Sequence, residues 1–448
     1  MRIVHGADEG RRTLLRRQPL GETELPAAIR SKNAEIFGAD LPVEQQVRRI
    51  LDDVRREGDA AVAFYTFAFT GRQSGTYVVG PGDLKSAYND VDPLLVEALE
   101  AAAGRIRAYH ERQRDHSSRS FSEGGVGMQV RAIERIGMYV PTSPGAVYPS
   151  SVLMTAIPAK VAGVSELIMM TPAGGDGAVS PLKLVAADIA GVDRVFAAGG
   201  AEGIAALAFG TQTIPRVDKI VGPGNIFVTV AKRQVFGSVG IDALYGPSET
   251  IVIADDSADP MLAAADLLAQ AEHDELATPI LLTPSAAVAE AVGAEVERQL
   301  KLLEREQIAR ASFDARGGAV IVSSIEEAVE LASEYAPEHL CLLVRDAASV
   351  AKTVRNAGGI FIGDDAPESL GDYTAGPSHV MPTSGAARYA SPLGVQDFLK
   401  VTSVVAVDLA TLREAGPAAA TIARAEGFTA HARSIELRLN GGERGAAK

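Results

Sequence analysis

Short apolar runs alternate with amphipathic stretches from about residue 134 onward, and that alternation dominates the chain. Ile136-Gly137-Met138-Tyr139-Val140 predicts a strand, followed by the turn-rich Pro141-Thr142-Ser143-Pro144-Gly145. The pattern then predicts a helix over 150–162, a strand over 166–171, a helix over 181–190 and a strand over 194–198. Gly199-Gly200-Ala201-Glu202-Gly203 opens a further helix, and a strand over 219–221 runs through Gly222-Pro223-Gly224-Asn225 into a helix over 226–235. Such β-α alternation with short connections implies a parallel sheet with helices on both faces. Sheets of this kind bind ligands at the carboxyl ends of their strands. Two of those ends carry glycine-rich turns. Glycine lets backbone N–H groups approach a phosphate, and the following helix N-terminus favours negative charge. Neither turn matches G-x-G-x-x-G, so a dinucleotide site and a plain tight turn both stay open.

A second alternating stretch follows. It has a strand over 250–254, a helix capped by Asp259 with Pro260 at its first position, and a strand over 280–283. A long charged helix, a strand over 319–322, a helix from Ile325 and a strand over 340–344 come next. Upstream, helices are predicted from Pro42 to Phe67 and from Pro93 to Gln113. After Ala386 the chain reads as largely extended, with a helix over 419–425 and a Gly- and Ala-rich, disordered end over 440–448. The fold class is therefore α/β, with two Rossmann-like domains, one inserted in the other. Residues 1–25 form an N-terminal arm, 26–134 with 241–385 the main catalytic domain, 135–240 the inserted domain, and 386–448 an extended C-terminal tail.

Composition narrows the function classes. A formal net charge of −14, with no long basic run, argues against nucleic acid or an anionic membrane as the main partner. No apolar run is long enough to span a bilayer, and the first residues lack the apolar core of a signal peptide. The single cysteine, Cys341, excludes an intrachain disulfide and any Cys-rich zinc site, and points to a reducing, cytoplasmic setting. Within an apolar strand, Cys341 reads as a buried, inert thiol.

Candidate chemistry concentrates in the second half. Pro337 disfavours the helical conformation at Ala336, so the helix from Ile325 should stop there and a strand begin at Leu340. Glu338 and His339 lie at this junction, the one place where neighbours bound for a strand can share a site. Gln270 and His273, three apart, share a helical face, which suits metal ligation or simple capping. Asp372 and His379 lie in a loop rich in turn formers. Of the seven histidines, His273, His339, His379 and His431 each have an acid within a few residues. Together they argue for a site that uses imidazoles in proton transfer or metal binding.

Several segments in order resemble the histidinol dehydrogenase family over nearly the whole chain. They are the run Tyr148–Met154, Gly222-Pro223-Gly224-Asn225, Gly246-Pro247-Ser248-Glu249, Gln270-Ala271-Glu272-His273-Asp274, Ala336-Pro337-Glu338-His339-Leu340, Gly371-Asp372-Tyr373 and Glu426-Gly427-Phe428-Thr429-Ala430-His431. The resemblance implies a zinc-dependent homodimer, with one Zn2+ per subunit, that oxidises L-histidinol to L-histidine through L-histidinal using NAD. It places metal ligands on Gln270, His273, Asp372 and His431, and the catalytic pair on Glu338 and His339. Substrate contacts are implied for Ser248, Gln270, His273, Glu338, Asp372, His379, Glu426 and His431, and NAD contacts for Tyr139, Glu202 and Asn225. It further implies a C-terminal tail exchanged between subunits. Glu202 stands where the family commonly has Gln, which is expected to add charge near the cofactor, and Ser378 where it usually has Asn. These departures leave open a paralogue acting on another small amino or sulfonated alcohol.

Overall fold

The computed structural model describes residues 1–17, 27–71, 78–117, 119–143, 145–174 and 178–441. The chain divides into two compact units, Met1–Asp115 with Ile133–Phe398, and His116–Ala132 with Leu399–Lys448. Among the described residues the larger unit holds two six-stranded sheets.

The first sheet is parallel throughout, in the order Ile3–His5, Gly318–Ile321, Thr278–Thr283, Glu249–Ala254, His339–Leu343, Gly359–Ile362. Its central strands are apolar on both faces, as a doubly covered parallel sheet requires. Val252, Leu281 and Cys341 pack on one face under the helices Pro260–Ala271 and Ala286–Leu300. Ile251, Ile253, Leu340 and Leu342 pack on the other under Ile325–Tyr335. Residues 3–5, read from sequence as part of an arm, instead add an edge strand, with Ile3 paired to Ala319. Three residues are too few to show a period of two in sequence.

The second sheet runs Val78–Val79, Arg194–Phe196, Glu166–Met170, Arg135–Tyr139, Lys219–Val221, Gly240–Ile241. Only Val78–Val79 pairs antiparallel. The predicted helix over 42–67 is two helices, Val43–Glu57 and Asp59–Thr70, divided at Gly58. Their residues Val47, Ile50, Val54 and Tyr65 pack with Ile168, Phe196 and Ile204 of this second sheet and its helices. The sequence pattern grouped them with residues 241–385. Which sheet an amphipathic helix covers is a long-range choice that its own period does not encode.

The smaller unit pairs Leu399–Val405 with Val126–Ala132, and that strand with Phe121–Glu123, all antiparallel. The tail is not largely extended. Asp408 caps a helix over Leu409–Ala425, and a second helix spans Thr429–Asn440. Gly416-Pro417 interrupts the helical pattern in sequence, yet the bare Gly416 lets Ile435 and Leu439 pack close against it. The disordered end expected over 440–448 lies, after 441, outside the described residues. No helix among the described residues is long and apolar enough to cross a membrane.

Gly222, after the strand Lys219–Val221, has φ of 105°, and a Cβ there would meet the Tyr139 carbonyl oxygen at 2.3 Å. Gly222→Ala is expected to lower unfolding stability by at least about 1–3 kcal/mol, measured by urea denaturation. An unchanged midpoint would show that this turn relaxes freely.

Candidate active site

The helix Ile325–Tyr335 begins at Ser324, whose side chain accepts from the Glu327 amide, and ends at Ala336 in the left-handed region (φ 53°, ψ 66°). Pro337 prevents its continuation. The chain then enters the strand His339–Leu343 in register with Thr250. Glu338 is left at the break, with its Oε2 3.7 Å from His339 Nδ1. The junction thus turns both neighbours into one space, as the sequence argument required.

Carboxyl groups surround the imidazole. His339 Nε2 lies 3.5 Å from Asp372 Oδ1, and Nδ1 lies 3.9 Å from Glu368 Oε2. Nδ1 also donates to the Glu249 carbonyl at 3.3 Å, and the Glu249 amide donates to Glu338 Oε2 at 3.1 Å. Burial opposes charge on His339, but Glu338, Asp372 and Glu368 outweigh it and raise the imidazole to about 10. Burial pushes Glu338 and Glu368 up to about 8 despite the imidazolium beside them. Burial also works against an ionised Asp372, yet its hydrogen bond to His339 and the nearby imidazoles hold it below the usual range. Burial thus favours the neutral forms of Glu338 and Glu368, while the Asp372–His339 contact favours opposite charges on that pair.

Glu368 is a residue of this cluster that the sequence reading missed. The expected loop at 371–379 begins inside a short helix, Glu368–Tyr373, and residues four apart on it face the imidazole together. That four-residue spacing was the available signal for Glu368. Gly371 in the middle obscured it.

Gln270 closes the helix Pro260–Ala271, which starts at Asp259 and Pro260 as predicted. His273 lies beyond the helix end, in a turn closed by its amide donating to the Gln270 carbonyl at 3.2 Å. The Gln270 side chain is fully buried; its Nε2 donates to Asp372 Oδ2 at 3.3 Å, and its Oε1 has no hydrogen-bond partner. His273 Nδ1 is 3.2 Å from Ser248 Oγ, and burial lowers its pKa, which favours the neutral, ligating imidazole. Among the described residues no three His, Cys, Asp or Glu form a metal cluster by themselves. A buried, unpartnered amide oxygen beside a neutral imidazole and an ionised carboxylate nonetheless fits a hard or borderline divalent cation that takes further ligands from elsewhere. His379 is already committed. Its Nδ1 donates to the Asp372 carbonyl at 2.7 Å, and Ser151 Oγ lies 3.1 Å from Nε2. Glu426 and His431 belong to the smaller unit, where both are exposed and His431 packs beside Phe428.

Within the larger unit, a cleft of about 1800 Å³ joins Gln270, His273, Glu338, His339, Asp372 and His379 to the second sheet, whose strand ends contribute Tyr139, Gly199, Gly200, Glu202 and Asn225 to its lining. The cleft therefore faces the amino ends of the first sheet's strands and the carboxyl ends of the second's. Tyr139 hydroxyl accepts from the Gly200 amide at 3.1 Å, and Asn225 Oδ1 accepts from the Phe227 and Val228 amides as a helix cap. Glu202 is buried, with Oε2 unpartnered, and burial pushes its carboxyl up to about 8. Burial with no neighbouring cation among the described residues favours its uncharged form, where the sequence expectation was an added charge.

The sequence model of the histidinol dehydrogenase family matches residues 38–439. A histidinol dehydrogenase of Deinococcus radiodurans is 48% identical over 444 residues, covering 98% of this chain and 100% of the relative. One of Agrobacterium fabrum is 50% identical over 402 residues, covering 89% and 93%. The crystal structure of histidinol dehydrogenase from Elizabethkingia anophelis superposes with a TM-score of 0.88 at 31% identity, over 99% of both chains.

Glu202 gives a pH test. Its folded pKa of about 8 exceeds the ordinary 4.5, so the folded state favours the protonated acid. That advantage is complete below pH 4.5 and is lost as pH rises through 8. Compared with Glu202→Gln, the parent should lose stability across that window, by up to about 1.4 kcal/mol per pH unit. Denaturation curves that stay parallel at every pH would show the carboxyl is solvated.

Proposed function

The chain belongs to the histidinol dehydrogenase family and is an oxidoreductase of histidine biosynthesis, and from that premise we propose that it oxidises L-histidinol to L-histidine in two NAD-linked steps. The observation that carries this reading is the buried Glu338–His339 pair beside Gln270, His273 and Asp372, in the same cleft as the Gly-rich turns. Asp372, Gln270 and His273 would hold one zinc ion per subunit, with the partner subunit's His431 as the fourth protein ligand. Zinc there would orient the amino alcohol and, by drawing on Asp372, return His339 towards its neutral form. NAD, bound along Tyr139, Glu202 and Asn225, would accept the hydride.

The chain's own groups then handle protons. His339, fixed by the Glu249 carbonyl on Nδ1, takes the alcohol proton at Nε2 in the first oxidation. Glu338, in its ionised form, accepts a proton from the water that hydrates the aldehyde; burial, which disfavours that charge, makes the carboxylate a stronger base. After passing its first proton to solvent, His339 takes the diol proton in the second oxidation. Cys341 is buried in the strand, so hydration rather than thiol addition carries the aldehyde forward. Ser248 and His379 would contact substrate, with Glu426 supplied by the partner subunit in a cytoplasmic homodimer with exchanged tails. Ser378, the departure that suggested another alcohol, donates to the Met154 carbonyl at 3.1 Å and accepts from the Val380 amide. Its hydroxyl is absorbed by the loop, which favours histidinol over another small amino or sulfonated alcohol.

Purified protein should form NADH from L-histidinol and NAD, lose that activity to a chelator and regain it with zinc. His339→Asn should lower both oxidations about 10²- to 10⁴-fold. Glu338→Gln should mainly slow oxidation of supplied L-histidinal. Equal loss of both steps in the Glu338 variant would contradict the division of roles, and no histidinol-dependent NADH would overturn the reading itself.

A further inference from the structure

The amino-terminal segment reaches the acid–imidazole pair. Leu14 is buried in the core cluster that includes Tyr335, and three residues later Arg17 enters the cleft. Its guanidinium makes two kinds of contact at once. Nη1 lies 2.8 Å from Glu249 Oε1 as an ion pair, and Nη2 donates to Glu249 Oε2 at 3.0 Å. Nη2 also donates to the Tyr335 carbonyl at 2.6 Å and the Ala336 carbonyl at 3.2 Å, and the guanidinium stacks over the Tyr335 ring, 3.8 Å from its centroid.

Both partners are segments that hold the reacting groups. Tyr335 and Ala336 end the helix, and their carbonyls lack helical donors. Ala336 has the left-handed conformation, sparsely populated by residues other than glycine, and it aims Pro337, Glu338 and His339 into the cleft. Glu249 grips the same pair from the neighbouring strand, through its amide to Glu338 and its carbonyl to His339 Nδ1. Arg17 thus ties the two backbone segments that bracket the pair. Lysine has one point of charge and lacks the fork.

We propose that Arg17 is a positioning residue for Glu338 and His339, acting through Glu249 and the Ala336 turn. The inference rests on the proposed reaction only for its kinetic readout. Without the guanidinium, the Glu249 carboxyl loses its counter-charge and two carbonyls lose their donor, so the Ala336 turn relaxes and the imidazole leaves its working orientation.

The experiment compares Arg17→Ala and Arg17→Lys with the parent, whose histidinol-dependent NADH formation first establishes the reaction. Arg17→Ala should lower kcat about 10- to 100-fold, with KM for histidinol and NAD and the zinc content within twofold of the parent. Millimolar guanidinium should restore part of kcat to this variant and none to the parent. Amide hydrogen exchange over 333–342 should quicken in Arg17→Ala, a readout independent of turnover, and Arg17→Lys should fall between the two. If Arg17→Ala does not fold, parental kcat and exchange in Arg17→Lys overturn the proposal. Parental kcat in a folded Arg17→Ala, or a loss explained wholly by KM or zinc content, overturns it as well.

Discussion

A buried imidazole among three carboxyl groups is the constraint on which this molecule turns. Taking one charge into the interior is costly, and removing one partner of such a cluster leaves another uncompensated. Here the contact between His339 and Asp372 favours opposite charges on that pair, while burial works against charge on Glu338 and Glu368. The balance holds only if each group is held in place. Glu338 is fixed by the Ala336 turn, His339 by the Glu249 strand, and Glu368 by Thr250, whose hydroxyl donates to it at 3.0 Å. The parallel register of Thr250 with His339 makes those placements simultaneous.

The same register decides where the cleft opens. A parallel sheet ordinarily binds ligands at the carboxyl ends of its strands, and the second sheet presents its glycine turns that way. The first sheet contributes its amino ends, where Glu249 and His339 start their strands. Such an edge is usable here because a proline-terminated helix delivers an acid and an imidazole to it, with Arg17 capping the helix carbonyls.

Local chemistry was legible in the sequence, and distant partnership was not. Asp259-Pro260 and Pro337 marked helix boundaries that the structure keeps, because caps and breakers act within one turn. Glu338, His339, Gln270, His273 and Asp372 were identified, and the structure gathers them in one cleft. Arg17 and Glu368 were not. Arg17 lies over 200 residues from Glu249, and nothing in a stretch of arginines distinguishes the one that turns inward. Gly371 hid a helical turn, and Gly416-Pro417 hid the first part of a helix whose 419–425 portion was predicted, because breaker residues are read as ends when their packing partners are unknown. Glu202 was read as an added charge; its burial without a cation was invisible until its surroundings were known.

The central claim is that one acid–imidazole pair carries an alcohol through aldehyde to acid. The ratio of NADH formed to L-histidinol consumed, taken at completion with excess NAD and the product identified, tests it most directly. The account predicts two NADH for each histidinol, with L-histidine as the product. One NADH, with L-histidinal accumulating, would contradict it.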